Sequence, residues 1–159
     1  MFKKILIIGC GLIGSSILRA LNNKKFSKNV LVFEKSKRNI SKIKKIKSNT
    51  KFVKILNKQI SDVDLVIICT PMSEYKKLIP NLNKNLKSNC LITDVGSTKQ
   101  NIIKLKNKTL NKKLHWISSH PITGSEVSGP EYGNKNLFLN KWCVIINEKK
   151  KNQKKINLL

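Results

Sequence analysis

The chain has 159 residues, of which 33 are Lys or Arg and eight are Asp or Glu, for a formal net charge of +25. That length is one domain's worth of chain, able to bury a core of its own, and no apolar run approaches the roughly 20 residues that a membrane-spanning helix requires. The charge invites a nucleic-acid reading, but Arg19 and Arg38 are the only arginines, and arginine is the preferred residue for bidentate phosphate and base recognition; lysines spread over every segment describe a solvated surface with weak, salt-sensitive attraction to polyanions and no specific nucleic-acid partner.

Lys3 and Lys4 precede Ile5-Leu6-Ile7-Ile8, which mimics the start of a secretion signal. The apolar run is too short for that role and glycines interrupt it, so Lys4 to Ile8 reads as a buried strand and the protein is expected in the cytoplasm. Directly after it comes Gly9-Cys10-Gly11-Leu12-Ile13-Gly14, a G-x-G-x-x-G that opens a helix over Leu12 to Leu21. In this strand–turn–helix context the pattern predicts a dinucleotide site. The first glycine permits the tight turn, the second lets backbone approach a pyrophosphate, and the third lets helix and strand pack closely. The free N–H groups and positive dipole end of the helix face the phosphates, with Ser15 and Ser16 adding hydroxyls near that end.

Asn29 to Phe33 reads as the second strand, and Glu34 closes it 20 residues after Gly14. An acid there accepts hydrogen bonds from the ribose of the adenosine moiety, which favours NAD. Lys35, Ser36 and Arg38 follow at once and leave NADP open. Ile40, Ile43 and Ile46 recur at helical spacing. Phe52 to Leu56 is the expected third strand and Leu65 to Cys69 the fourth, ending in Thr70-Pro71, which the doubly wound arrangement brings to the cofactor. Tyr75, Leu78, Ile79 and Leu82 share one helix face. Cys90 to Val95 is the fifth strand, ending in Gly96-Ser97-Thr98-Lys99; Ser97 is suited to orient an imidazole or a substrate hydroxyl, Ser97 or Thr98 equally to cap the next helix, and Lys99 reads as a solvated first-turn lysine. Ile102, Ile103 and Leu105 mark that helix. Leu114 to Ser118 is the sixth strand, followed by a polar loop that holds His120, one of two histidines. Trp142 to Ile146 is a last strand, expected at an antiparallel edge. The four cysteines, Cys10, Cys69, Cys90 and Cys143, form no C-x-x-C pair, so neither zinc nor redox chemistry is expected and no metal site is assigned.

Continuous apolar strands alternating with helices predict an α/β fold of the Rossmann type, a doubly wound, mostly parallel sheet covered on both faces. Ligands in such sheets sit beyond the carboxyl ends of the strands, so His120 converges with Ser97 on the cofactor crevice, where imidazole is a fitting proton acceptor.

At Gly9 to Ser16, at Asp94-Val95-Gly96-Ser97-Thr98-Lys99, and at His120-Pro121-Ile122-Thr123-Gly124-Ser125-Glu126 with Ser128-Gly129-Pro130-Glu131, the chain resembles the prephenate/arogenate dehydrogenase family. Phe138 and Trp142-Cys143-Val144-Ile145 resemble the strand that follows in that family. The resemblance implies NAD(P)-dependent oxidative decarboxylation of prephenate to 4-hydroxyphenylpyruvate, or of arogenate to tyrosine, in tyrosine biosynthesis. It implies His120 as the catalytic group on the ring hydroxyl, Ser97 in support of histidine and substrate, and Ser125 and Glu126 in the substrate pocket. Cofactor contacts fall to Gly9, Gly11, Leu12, Ile13, Gly14, Glu34, Thr70 and Pro71. The family carries a second, largely helical domain that builds a homodimer and binds a substrate carboxylate. Residues 1–148 match the nucleotide-binding domain, and 149–159 are expected to start the helical one, so the chain by itself is expected to be an incomplete enzyme. A different dehydrogenase on this fold, of the β-hydroxyacid or imine reductase type, and a non-catalytic NAD-binding module are the competing readings; the His120 segment separates the first from the leading one.

Overall fold

Strands rich in Ile, Leu and Val with no polar alternation can only be buried on both faces, and the computed structural model, which describes residues 2–24, 27, 29–46, 50–124, 126–146 and 156–157, has that architecture. In chain order the elements are β1 (Lys4–Ile8), α1 (Leu12–Lys24), β2 (Asn29–Phe33), α2 (Lys37–Lys44), β3 (Thr50–Phe52), β4 (Leu65–Ile68), α3 (Tyr75–Asn85), β5 (Leu91–Asp94), α4 (Gln100–Thr109), β6 (His115–Pro121) and β7 (Cys143–Ile146), with single 3-10 turns between some of them. The seven strands form one sheet in the order β3-β2-β1-β4-β5-β6-β7. All pairings are parallel except β6 with β7. This is the Rossmann-like α/β sheet expected, with its antiparallel edge.

Alternation along the strands sends side chains to two faces. On one, Leu6, Ile8, Val66, Ile68, Ile92 and Trp116 pack with Tyr75, Leu78, Ile79 and Leu82 of α3 and Ile102 of α4. Burying each large aliphatic side chain contributes about 1.5–3 kcal/mol, so this face carries most of the core. On the other face Ile7, Val30 and Val32 meet Leu18 of α1 and Ile43 of α2. Farther along that second face Leu65, Ile67, Phe138 and Ile145 line an apolar cavity of about 720 Å³, and Ile156 packs against the same cluster. Among the described residues no helix is long and apolar enough to cross a membrane.

Two boundaries differ from expectation. The third strand pairs over Thr50–Phe52 instead of Phe52–Leu56. Val53 still donates to the Val32 carbonyl at 2.9 Å, but the chain then turns into an irregular segment that buries Val53 and Leu56; burial without ladder pairing leaves the same apolar signature as a strand. The sixth strand runs on to Pro121 because β7 pairs with it, His120 opposite Val144 and Pro121 opposite Cys143. His120 therefore stands on a strand and not in a loop. The expected domain boundary after residue 148 lies outside the described residues.

Candidate dinucleotide and catalytic site

The register of the parallel strands builds the site. Ile8 is level with Phe33 on one side and Ile68 on the other, Ile68 with Asp94, and Asp94 with Ser118. The next residue of each strand thus forms a row, Glu34, Gly9, Cys69, Val95 and Ser119, along the carboxyl edge of the sheet. One step further stand Thr70, Gly96 and His120. Residues more than a hundred positions apart reach one crevice because the strands end together.

At the β1–α1 turn, Gly9 has a φ of +82°, and a Cβ there would stand 2.6 Å from Thr70 Cγ2. A Cβ on Gly14 would stand 2.2 Å from the Gly9 carbonyl oxygen, whereas a Cβ on Gly11 would meet nothing within 4 Å. Gly9 and Gly14 are therefore closed by the protein itself, and Gly11 faces open space. The first i to i−4 bond of the turn runs from Ser15 N–H to Gly11 O at 3.0 Å, so the N–H groups of Leu12, Ile13 and Gly14 precede the intrahelical ladder and are free for an anion. The adjoining pocket, about 300 Å³, is lined among others by Gly9, Gly11, Glu34, Lys35, Thr70 and Pro71. Thr70 Oγ1 is buried there with no hydrogen-bond partner among the described residues, a polar atom that a ligand in the pocket can satisfy. Glu34 is fixed by two backbone donors, Cys10 N–H to Oε2 at 2.8 Å and Ser36 N–H to Oε1 at 2.9 Å. It stands as an oriented acceptor at the end of β2. These features fit a dinucleotide.

Ser15 and Ser16 do not face that pocket. Both are fully buried and donate to the Leu12 carbonyl, at 3.1 and 2.8 Å. Ser16 Oγ also accepts the Asn134 N–H at 2.9 Å, and Arg19 Nη2 donates to the Pro130 carbonyl at 3.1 Å. Their job is to dock the segment after His120 onto α1.

At the other end of the row, His120 is half-buried and its Nδ1 lies 3.1 Å from the Val95 carbonyl oxygen. A carbonyl can only accept, so in the neutral ring Nδ1 carries the proton and Nε2 has the free lone pair, the tautomer a proton acceptor needs. Ser97 and Glu126 are exposed; neither Ser97 nor Thr98 caps α4, whose flanking residue is Lys99 with no side-chain cap. Among the described residues Ser97 makes no hydrogen bond to His120. Ser125 lies outside the described residues.

Lys99 is not solvated. Its side chain is 10% exposed and forms an ion pair with Asp94, which is fully buried; Lys99 Nζ also donates to the Ser119 carbonyl at 2.6 Å. The other Asp94 oxygen accepts Trp116 Nε1–H at 2.9 Å, and Ser119 Oγ donates to the Asp94 carbonyl at 2.9 Å. This network ties the β5–α4 turn to the residue before His120, and sequence reading missed it. The available signal was Asp94 itself, since a carboxylate closing an apolar strand needs a buried partner. Nearby, burial pushes the thiol of Cys10 up to about 12 and raises that of Cys69 as well; the two behave as small hydrophobes. Among the described residues no group of His, Cys, Asp and Glu is arranged to hold a metal ion.

Residues 17–159 match the family model described as prephenate dehydrogenase, nucleotide-binding domain. The prephenate dehydrogenase of Lactococcus lactis subsp. cremoris is 36% identical over 148 residues, 92% of this chain and 41% of the relative. The cyclohexadienyl dehydrogenase of Zymomonas mobilis is 30% identical over 138 residues, covering 87% of this chain and 47% of the relative. Among solved structures, prephenate dehydrogenase from A. aeolicus in complex with hydroxyphenyl propionate and NAD+ superimposes with a TM-score of 0.87 at 26% identity, over 99% of this chain and 55% of that one. The chain thus spans about half the length of these relatives. With residues 17–159 matching the family model and 36% identity to a curated relative, the chain belongs to the prephenate dehydrogenase family and carries its nucleotide-binding domain.

Proposed function

We propose that this chain binds NAD+ and forms the nucleotide-binding, proton-accepting part of an enzyme that oxidatively decarboxylates prephenate or arogenate in tyrosine biosynthesis. The observation that carries this reading is the aligned row of strand ends, with a dinucleotide cradle at Gly9 and Glu34 and an oriented imidazole at His120. NAD+ supplies the hydride acceptor when bound. Leu12, Ile13 and Gly14 offer N–H groups to its pyrophosphate across Gly11, Glu34 accepts from its ribose, and Thr70 and Pro71 flank it. His120 Nε2 takes the proton of the ring hydroxyl as hydride leaves the same carbon; carbon dioxide departs and the ring becomes aromatic. Ser97, Ser125 and Glu126 serve the substrate side.

Residues 149–159 lead into a second, helical domain in this reading. The apolar cavity beside Ile145 and Phe138, with Ile156 packed against it, and Trp142, 83% exposed on the edge, are surface such a domain would cover. It would also supply the substrate carboxylate site and the homodimer contact. In the full-length protein, His120→Asn is expected to lower turnover of prephenate or arogenate by about 10²–10⁴-fold. NAD+ affinity, read by fluorescence titration, should stay within about twofold. Parallel loss of both readouts would make His120 a structural residue.

A further inference from the structure

The corner of the pocket beyond Glu34 holds a cation that is already paired. Lys35 follows Glu34 directly, and Lys35, Asn39 and Glu74 line the same pocket. Lys35 Nζ reaches across to Glu74 Oε2 at 2.5 Å, so a side chain from the end of β2 meets one from the turn after β4. Lys77 approaches the other Glu74 oxygen at 3.5 Å. The Lys35 hydrogen bond, with both ammonium charges, holds the Glu74 carboxyl below the ordinary carboxylate range, so it is an anion at working pH. Next along, Lys42 of α2 pairs with Glu131, and Arg38 adds to the positive field on that carboxylate. The chain has only eight acids for 33 bases, so most of its cations have no acid to pair with. Two of those few acids nevertheless stand against the cations that follow β2.

We propose that Glu74 is an internal counter-ion that makes the site prefer a dinucleotide with a free ribose 2′-hydroxyl over its 2′-phosphorylated form. The inference rests on the dinucleotide reading above. In doubly wound folds the acid at the end of β2 takes the ribose hydroxyls, and a cation beside it accommodates a 2′-phosphate. Here the adjacent cation is Lys35, and Glu74 occupies it. A 2′-phosphate entering this corner meets two carboxylates, Glu34 and Glu74, and gains Lys35 only by displacing Glu74. A 2′-hydroxyl needs none of this, because Glu34 is held by backbone N–H groups alone.

Binding of NAD+ and NADP+ to the 159-residue chain, measured by calorimetry at fixed salt, tests the proposal without any turnover. Glu74→Gln should tighten NADP+ by roughly two- to fivefold, the scale of one exposed ion pair released to a new partner. NAD+ affinity should stay within about twofold. Adding Lys35→Gln should abolish the gain. Both side chains are partly exposed, and unchanged circular dichroism melting would show that the variants fold. An unaltered NADP+ to NAD+ ratio in Glu74→Gln overturns the proposal, as does a gain that survives in the double variant. Wild-type chain that binds neither dinucleotide overturns the cofactor reading and this inference with it.

Discussion

Three glycines within six positions are asked to do different things, and the structure separates them. Gly9 needs its positive φ and its closeness to Thr70, and Gly14 has no room beyond the Gly9 carbonyl. Gly11 has room to spare. Its lack of a side chain suits a ligand that approaches the turn. Gly11→Ala is therefore expected to leave the melting temperature unchanged while weakening NAD+ binding by about tenfold or more, since a methyl group would hold the pyrophosphate away from the helix N–H groups. Gly14→Ala is expected to cost about 1–3 kcal/mol of stability through overpacking. Thermal melts and NAD+ titrations of the two variants should thus fail in opposite ways. If Gly11→Ala binds NAD+ normally, the open space at that position serves nothing, and the cradle reading loses its best local support.

Elements that announce themselves by apolar runs were legible in the sequence, and what depended on a distant partner was not. β1, β2 and β5 came within a residue of their bounds because buried parallel strands are continuously apolar. The segment after Phe52 misled because burial and ladder pairing look alike in one dimension. In the sequence His120 looks like a loop residue because its ladder partner, Val144, lies beyond a long connection. The cofactor residues were legible as a turn pattern; the support beneath His120 was not, since Asp94, Lys99, Trp116 and Ser119 meet only once β5, β6 and α4 are packed. Lys99→Met leaves the Asp94 carboxylate buried and uncompensated, and urea unfolding should show a loss of about 3–5 kcal/mol. Adding Asp94→Asn removes the stranded charge while keeping an acceptor for Trp116 Nε1, so the double variant should recover part of that loss. A first-turn lysine in solvent would cost less than about 0.5 kcal/mol on substitution, and a value that small would dissolve the proposed tie between the two strands.

The whole molecule carries +25, and its folded state relies on a few carboxylates set against that field. Asp64 loses solvent by burial, which works against ionisation, yet the Lys87 ammonium and the N–H groups of Lys3 and Lys4 outweigh that and hold its carboxyl below the ordinary range. Asp62 is lowered chiefly by its hydrogen bond to Lys4, and Glu74 and Glu131 by Lys35 and Lys42. A carboxyl whose folded-state value lies below its unfolded one contributes stability that is complete above the unfolded value, about 4, and is lost as pH falls through the folded value. Melting temperature should therefore change little between about pH 8 and pH 5 and drop steeply below about pH 4. Each protonation also removes a negative charge from a chain already far from neutrality, which steepens the fall. Salt should act in the opposite sense from its effect on a protein held by surface ion pairs. Screening weakens the handful of pairs, each worth little when exposed, but it also relieves repulsion among a large excess of lysines. With four times as many bases as acids the second effect dominates, so the melting temperature at neutral pH should rise between about 20 mM and about 500 mM salt as the Debye length shrinks. A fall over that range would mean that the paired carboxylates matter more to this fold than the net charge does.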